Sequence, residues 1–178
     1  MFLSQTGAPR SKLRVSIKPS SYLGVRWEIA AKSATTLPIV YDIIFRRALG
    51  AKYDAIELPI WIEGGKEVKK IAQALGLPIE TAKDISDTYD VILKIIFGPE
   101  FRSMMTEEKA DRVVSRGTEC PLLNRAVEMG MNPALLINAC QAYNRSAIEN
   151  LNHKYTIKTT KRMCNGDPYC ENIIGLKS

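Results

Sequence analysis

The chain has 178 residues, 46% of them hydrophobic, and a formal net charge of +6. That length suits one domain of ordinary size with its own core, and no apolar run approaches the roughly 18 residues that cross a bilayer. The N-terminal MFLSQTGAPR lacks the apolar stretch of a secretory signal, so the expectation is a cytoplasmic protein with reduced thiols and no membrane partner.

The positive charge is local. Residues 1–27 carry Arg10, Lys12, Arg14, Lys18 and Arg26 and no acid, which leaves 20 basic against 19 acidic residues in the rest. A nearly neutral body argues against nucleic acid as a partner. The leader is basic, Ser-rich and acid-free, a composition that transit peptides share. It reads as a flexible arm that docks on a partner protein. Residues 28–178 read as one α+β domain, helical over 28–105 and cysteine-bearing over 106–178.

From Leu37 the apolar positions Leu37, Val40, Tyr41, Ile44, Phe45 and Ala48 follow helical spacing, and Gly50 ends the run. Asp42, Arg46 and Arg47 fall off that stripe. In KYDAIELPIWI (52–62), Pro59 predicts a kink or two short pieces. Gly64-Gly65 then reads as a break before a short helix over Lys66 to Leu75, closed by Gly76. Pro78 suits the first turn of the next helix. Its stripe is Ala82, Ile85, Tyr89, Ile92, Leu93 and Ile96, closed by Gly98-Pro99, and it predicts a helix running through the core.

Further on, DRVVSRGTECP predicts a strand that turns at Pro121. Leu122 to Met129 predicts a short helix ended by Gly130, and Pro133 to Leu151 another, carrying Leu136, Cys140, Tyr143, Ala147 and Leu151. KYTIKTTKRMC and CENIIGL alternate as two strands around NGDPY, a hairpin signal. The fold class is α+β: a mainly helical N-terminal half, then helices with a small antiparallel sheet ending in a cysteine-bearing hairpin.

All four cysteines, Cys120, Cys140, Cys164 and Cys170, fall in that second half. Their spacing matches no zinc-ribbon pair and no ferredoxin run, yet their gathering points to a shared site. Cys164 and Cys170 bracket the hairpin loop, where an even separation puts both side chains on one face, within reach of a disulfide or a metal. Plainer readings stand beside this one. A cysteine on an apolar helix face is commonly a core residue, and Asn165-Gly166-Asp167 is good turn chemistry by itself.

Two chemistries remain open. Cys120, Cys140, Cys164 and Cys170, with His153 nearby in sequence, form a candidate ligand set for zinc or an iron–sulfur cluster. Alternatively Cys120 or Cys140 is a nucleophile, its thiolate favoured by a neighbour among Arg116, Arg125, His153 and Arg162, with Asp167 orienting water or a substrate amine. No glycine-rich phosphate loop, serine elbow or HExxH is present in the sequence, which argues against nucleotide and phosphoryl chemistry.

The order Cys120-Pro121, the helical Cys140, Asn152 to Tyr155, then Gly166-Asp167-Pro168-Tyr169-Cys170-Glu171 resembles the L-2-amino-thiazoline-4-carboxylic acid hydrolase-like family. The match covers roughly the C-terminal third. A more distant similarity is to the vinyl-reductase small-molecule-binding domain. The first resemblance implies hydrolytic opening of a small cyclic carbon–nitrogen bond, with Cys120, Cys140, Asp167 and Cys170 at the family-like positions and Cys164 the least securely matched. The expectation is therefore a thiazoline-type hydrolase acting on a small molecule. The alternative is a non-catalytic metal, iron–sulfur or small-ligand-binding module, or an accessory subunit of a larger complex. A homo-oligomer fits either.

Overall fold

The computed structural model describes residues 19–177. Five helices and four strands follow in the order α1 (Pro19–Leu49), α2 (Lys52–Leu75), α3 (Ala82–Phe97), β1 (Arg102–Lys109), β2 (Arg112–Glu119), α4 (Pro121–Glu128), α5 (Leu136–Leu151), β3 (Tyr155–Lys161) and β4 (Cys170–Leu176). Single 3-10 turns lie at Pro133–Leu135 and Met163–Asn165. This is the expected α+β class, with β1 an additional strand. Residues 1–18 of the basic leader lie outside the described residues, and Pro19 to Trp27 form the first turns of α1. None of the described helices is long and apolar enough to cross a membrane.

The α1 helix forms where its stripe predicts, but the stripe faces outward. Leu37, Tyr41, Ile44 and Phe45 are exposed, while Ile39, Thr35 and Asp42 are buried. The reason lies in α2. Arg46 pairs bidentately with Asp42 (Nε–Oδ1 2.9 Å, Nη2–Oδ2 3.0 Å) and also reaches the buried Glu57 (3.0 Å). Trp61 donates its indole N–H to the other Glu57 oxygen at 3.0 Å. Charged groups go inside when each finds a partner; here they form a polar seam between α1 and α2. Burial raises the Glu57 carboxyl pKa despite these donors.

The second helix runs unbroken through Pro59 and Gly64-Gly65. The glycines serve contact rather than punctuation: a Cβ on Gly65 would stand 2.7 Å from both the Ser146 Cβ and the Tyr143 carbonyl oxygen. Their absence of side chain lets α2 and α5 approach closely. Ser146 adds a hydrogen bond to the Ile62 carbonyl at 2.7 Å.

Thr81 caps α3 in a capping box with Asp84, and Ile85, Tyr89, Ile92 and Leu93 are buried as the period predicts. The sheet is antiparallel throughout, in the order β1-β2-β4-β3. Val113, Ile174 and Ile157 sit opposite one another across β2, β4 and β3 and join residues of α2, α3 and α5 in the main core. A smaller cluster of Ile39, Ala126, Met131 and Leu136 ties α1 to α4, with Cys164 packed against it.

Candidate functional site: a cysteine-lined apolar cavity

Strand side chains alternate between faces, so positions two apart point the same way. Two residues along from the Val113–Ile174–Ile157 row lie Ser115, Asn172 and Thr159, with Met105 opposite Ser115. Beyond them, Ser103, Gly117 and Cys170 are paired. The helix-facing surface of the sheet thus changes from large aliphatic groups to small and polar ones, too small to fill the space beneath the helices. A cavity of about 180 Å³ results. Counting about 10–15 Å³ for each water-sized group, that is room for on the order of a dozen.

Helix α3 covers it with Tyr89, Leu93 and Phe97, and α5 with Ile137, Cys140 and Tyr143. Trp61 reaches in from α2, edge-on to Tyr143 with ring centroids 6.0 Å apart. Phe101 and Leu122 complete the apolar wall. On the helix side a polar thread crosses this lining, facing the polar groups of the sheet. Tyr89 donates its hydroxyl hydrogen to the Asn144 Oδ1 at 2.5 Å, and the Asn144 Nδ2 donates to the Cys140 sulfur at 3.3 Å. Burial drives the Tyr89 hydroxyl pKa well up, so this hydroxyl stays a donor.

Cys120, Cys140, Cys164 and Cys170 all line the same cavity. The expected gathering of cysteines is therefore present, reached by four routes. Cys120 precedes α4, Cys140 projects from α5, Cys170 opens β4, and Cys164 sits in the 3-10 turn. Because β3 ends at Lys161, Cys164 is not paired across a hairpin with Cys170; the partner of Cys170 on β2 is Gly117. All four are free thiols.

Cys140 is exposed by area, yet burial is the largest influence on its thiol, pushing the pKa far up, with the other three cysteines adding to the rise. Both hold because its exposed area faces the cavity, where protein groups surround the sulfur. Burial also pushes Cys164 up to about 12. Cys120 is raised by burial, with the Leu123 and Leu122 amides opposing. Cys170 is raised by the same cause, although the Met163 N–H donates to its sulfur at 3.4 Å and Arg162 opposes the shift.

The remaining candidates stand apart. Asp167 turns inward on its own loop, accepting the Arg162 backbone N–H at 2.7 Å. His153 is an exposed residue beyond α5. Arg116 pairs with Glu171 at 3.2 Å and lies over the Tyr169 ring, and the buried Arg125 pairs with Glu100 and Glu128. Only Arg162 of the candidate cations lines the cavity.

The metal expectation is corrected here, and burial bears on the nucleophile reading. Among the described residues no three His, Cys, Asp or Glu side chains are placed to hold a metal ion, so the zinc and iron–sulfur readings lose their ligand set. The nucleophile reading calls for a thiolate favoured by a neighbouring cation or base, whereas all four thiols are held toward the protonated form. Sequence reasoning missed Tyr89 and Asn144 as lining groups. Tyr89 lay on the recognised core stripe, and the Cys140–Asn144 spacing of one helical turn was the available signal for the second.

No family model matches the chain, and no curated protein matches it. The structure is similar to the crystal structure of a trafficking protein particle complex subunit 3 from Naegleria fowleri covalently bound to palmitic acid. The TM-score is 0.54 at 14% sequence identity, covering 82% of this chain and 96% of that one. At that identity the likeness is one of fold. It replaces the thiazoline-hydrolase resemblance: the fold is shared with a subunit of a trafficking complex, and the hydrolase reading is withdrawn with it.

Proposed function

We propose that the chain is a non-catalytic subunit that holds a long apolar chain of the fatty-acyl type in the cavity between α3, α5 and the sheet. The cavity carries the reading: aliphatic, aromatic and thiol groups make up most of its exposed wall, with polar groups from the sheet and the Tyr89–Asn144–Cys140 thread among them, the make-up of a site for an extended hydrocarbon. The structural neighbour, crystallised with palmitic acid covalently bound, supports the same ligand class. Its place in a complex supports a protein partner here. That partner is a second copy of this chain, docked on the outward apolar face of α1.

The test is titration of the full chain with a fluorescent long-chain fatty acid, followed by displacement with hexadecanoate. Ser115 faces the cavity from β2, so Ser115→Leu fills the space without disturbing the sheet. The expected result is binding to the native chain and at least about tenfold weaker binding to the variant, with the melting temperature kept or raised. Unchanged affinity in a folded variant overturns the reading.

A further inference from the structure

Outside the apolar cavity lies a shallow hollow that shares Gln141, Asn144, Thr159 and Arg162 with it. To these it adds Arg145 from α5 and Lys158 from β3. The hollow is lined by no carboxylate. The acids that line the cavity are already matched: Asp87 by Lys83 (2.5 Å), Asp90 by Lys94 (2.6 Å) and Glu119 by Arg102 (3.1 Å). Glu149, one turn from Arg145, is held by Lys177 at 2.9 Å and by the Thr156 hydroxyl at 2.7 Å. Among the described residues, Arg145, Lys158 and Arg162 make no ion pair within 4.0 Å. Asp167 engages Arg162 only through its backbone N–H.

An apolar chamber beside a hollow that carries two arginines outside any ion pair and the Gln141 amide suits an amphiphile. We infer that the ligand has an anionic head, a carboxylate or a phosphate monoester, held by Arg145 and Arg162 while its tail fills the cavity. This rests on the apolar-chain reading above and adds a head-group specificity and a direction of entry. Arginine suits the role because its planar fork meets two oxygens of a carboxylate or phosphate at once. Asn144 stands at the junction. It lines both spaces, and its contacts to Tyr89 and Cys140 fix its orientation.

The experiment compares hexadecanoate, hexadecyl phosphate and hexadecanol on the full chain, each below its micelle concentration. A second arm repeats the series on Arg145→Gln with Arg162→Gln. The native chain is expected to bind at least one of the anions about tenfold or more tightly than hexadecanol. That preference, the ratio of anion to hexadecanol binding, should shrink as salt rises and should vanish in the double variant. Whichever anion binds more tightly identifies the head group. Equal binding of the alcohol and both anions overturns the head-group inference and leaves the apolar-chain reading standing. A preference that survives in the folded double variant overturns it as well. Absence of binding by all three overturns both.

Discussion

Cys140 illustrates how little a residue's type says about its chemistry before its surroundings are known. Its sulfur faces the cavity, accepts one hydrogen bond from Asn144 and lies near three other thiols that raise its pKa further. Only the thiolate attacks an alkylating reagent, so a raised pKa means slow reaction at neutral pH. Labelling of Cys140 and Cys164 should climb steadily from about pH 7 to about pH 10, and hexadecanoate in the cavity should slow it. Peptide-level mass spectrometry of iodoacetamide-treated protein reads this directly. A plateau reached by about pH 10, the mark of an ordinary or activated thiol, would contradict the assignment. The cysteine cluster was legible because all four residues crowd the second half of the sequence. Their protonation was not, since it depends on a cavity created by Ser115, Gly117 and Asn172 on strands distant in sequence.

Among the elements, α2 and α5 depend most visibly on a single position. Gly65 is buried against α5, and an added Cβ would meet the Tyr143 carbonyl oxygen and the Ser146 Cβ at 2.7 Å and the Ala147 nitrogen at 2.9 Å. Two of those three atoms are backbone and cannot swing aside. Gly65→Ala gains helix propensity of up to about 1 kcal/mol, but overpacking of this kind costs about 1–3 kcal/mol. The net expectation is a less stable protein, measured by urea unfolding. Gly64→Ala meets only the Tyr143 ring, at 3.6 Å, and should be neutral or stabilising. A stabilised Gly65→Ala would refute the close-approach account. The same contrast explains why sequence reasoning broke this helix. A glycine pair looks alike whether it ends a helix or admits a neighbour, and only the position of α5 distinguishes them. Regular periodicity located α3 and α5 well because their apolar faces point into the core. It located α1 but inverted it, because a face carrying Asp42 and Arg46 is an unusual one to bury and needs Glu57 from another helix to make it stable.

At the scale of the molecule, that inversion leaves α1 with an outward stripe. Leu37, Tyr41, Ile44, Phe45 and, on α2, Ile56 and Ile60 are 46–62% exposed. At roughly 150–250 Å² for a large side chain, these and Trp27 present on the order of 700 Å² of apolar surface. Monomers rarely leave such a patch uncovered, and a stable interface takes about 800 Å² from each partner. The stripe is also self-complementary. When two copies cross antiparallel about the Leu37–Pro38 peptide bond, Tyr41 meets Ala34, Phe45 meets Ala30 and Trp27 meets Ala48, large against small, and these positions are all exposed. A two-fold pair is thus available without rearranging the core, and it leaves the cavity between α3, α5 and the sheet untouched. The full chain should sediment as a dimer at micromolar concentration. Tyr41→Glu, on an exposed position, should weaken the dimer by about 30-fold or more while preserving the circular dichroism spectrum and hexadecanoate binding. A native chain that stays monomeric at tens of micromolar would rule out the second copy as the occupant of this face.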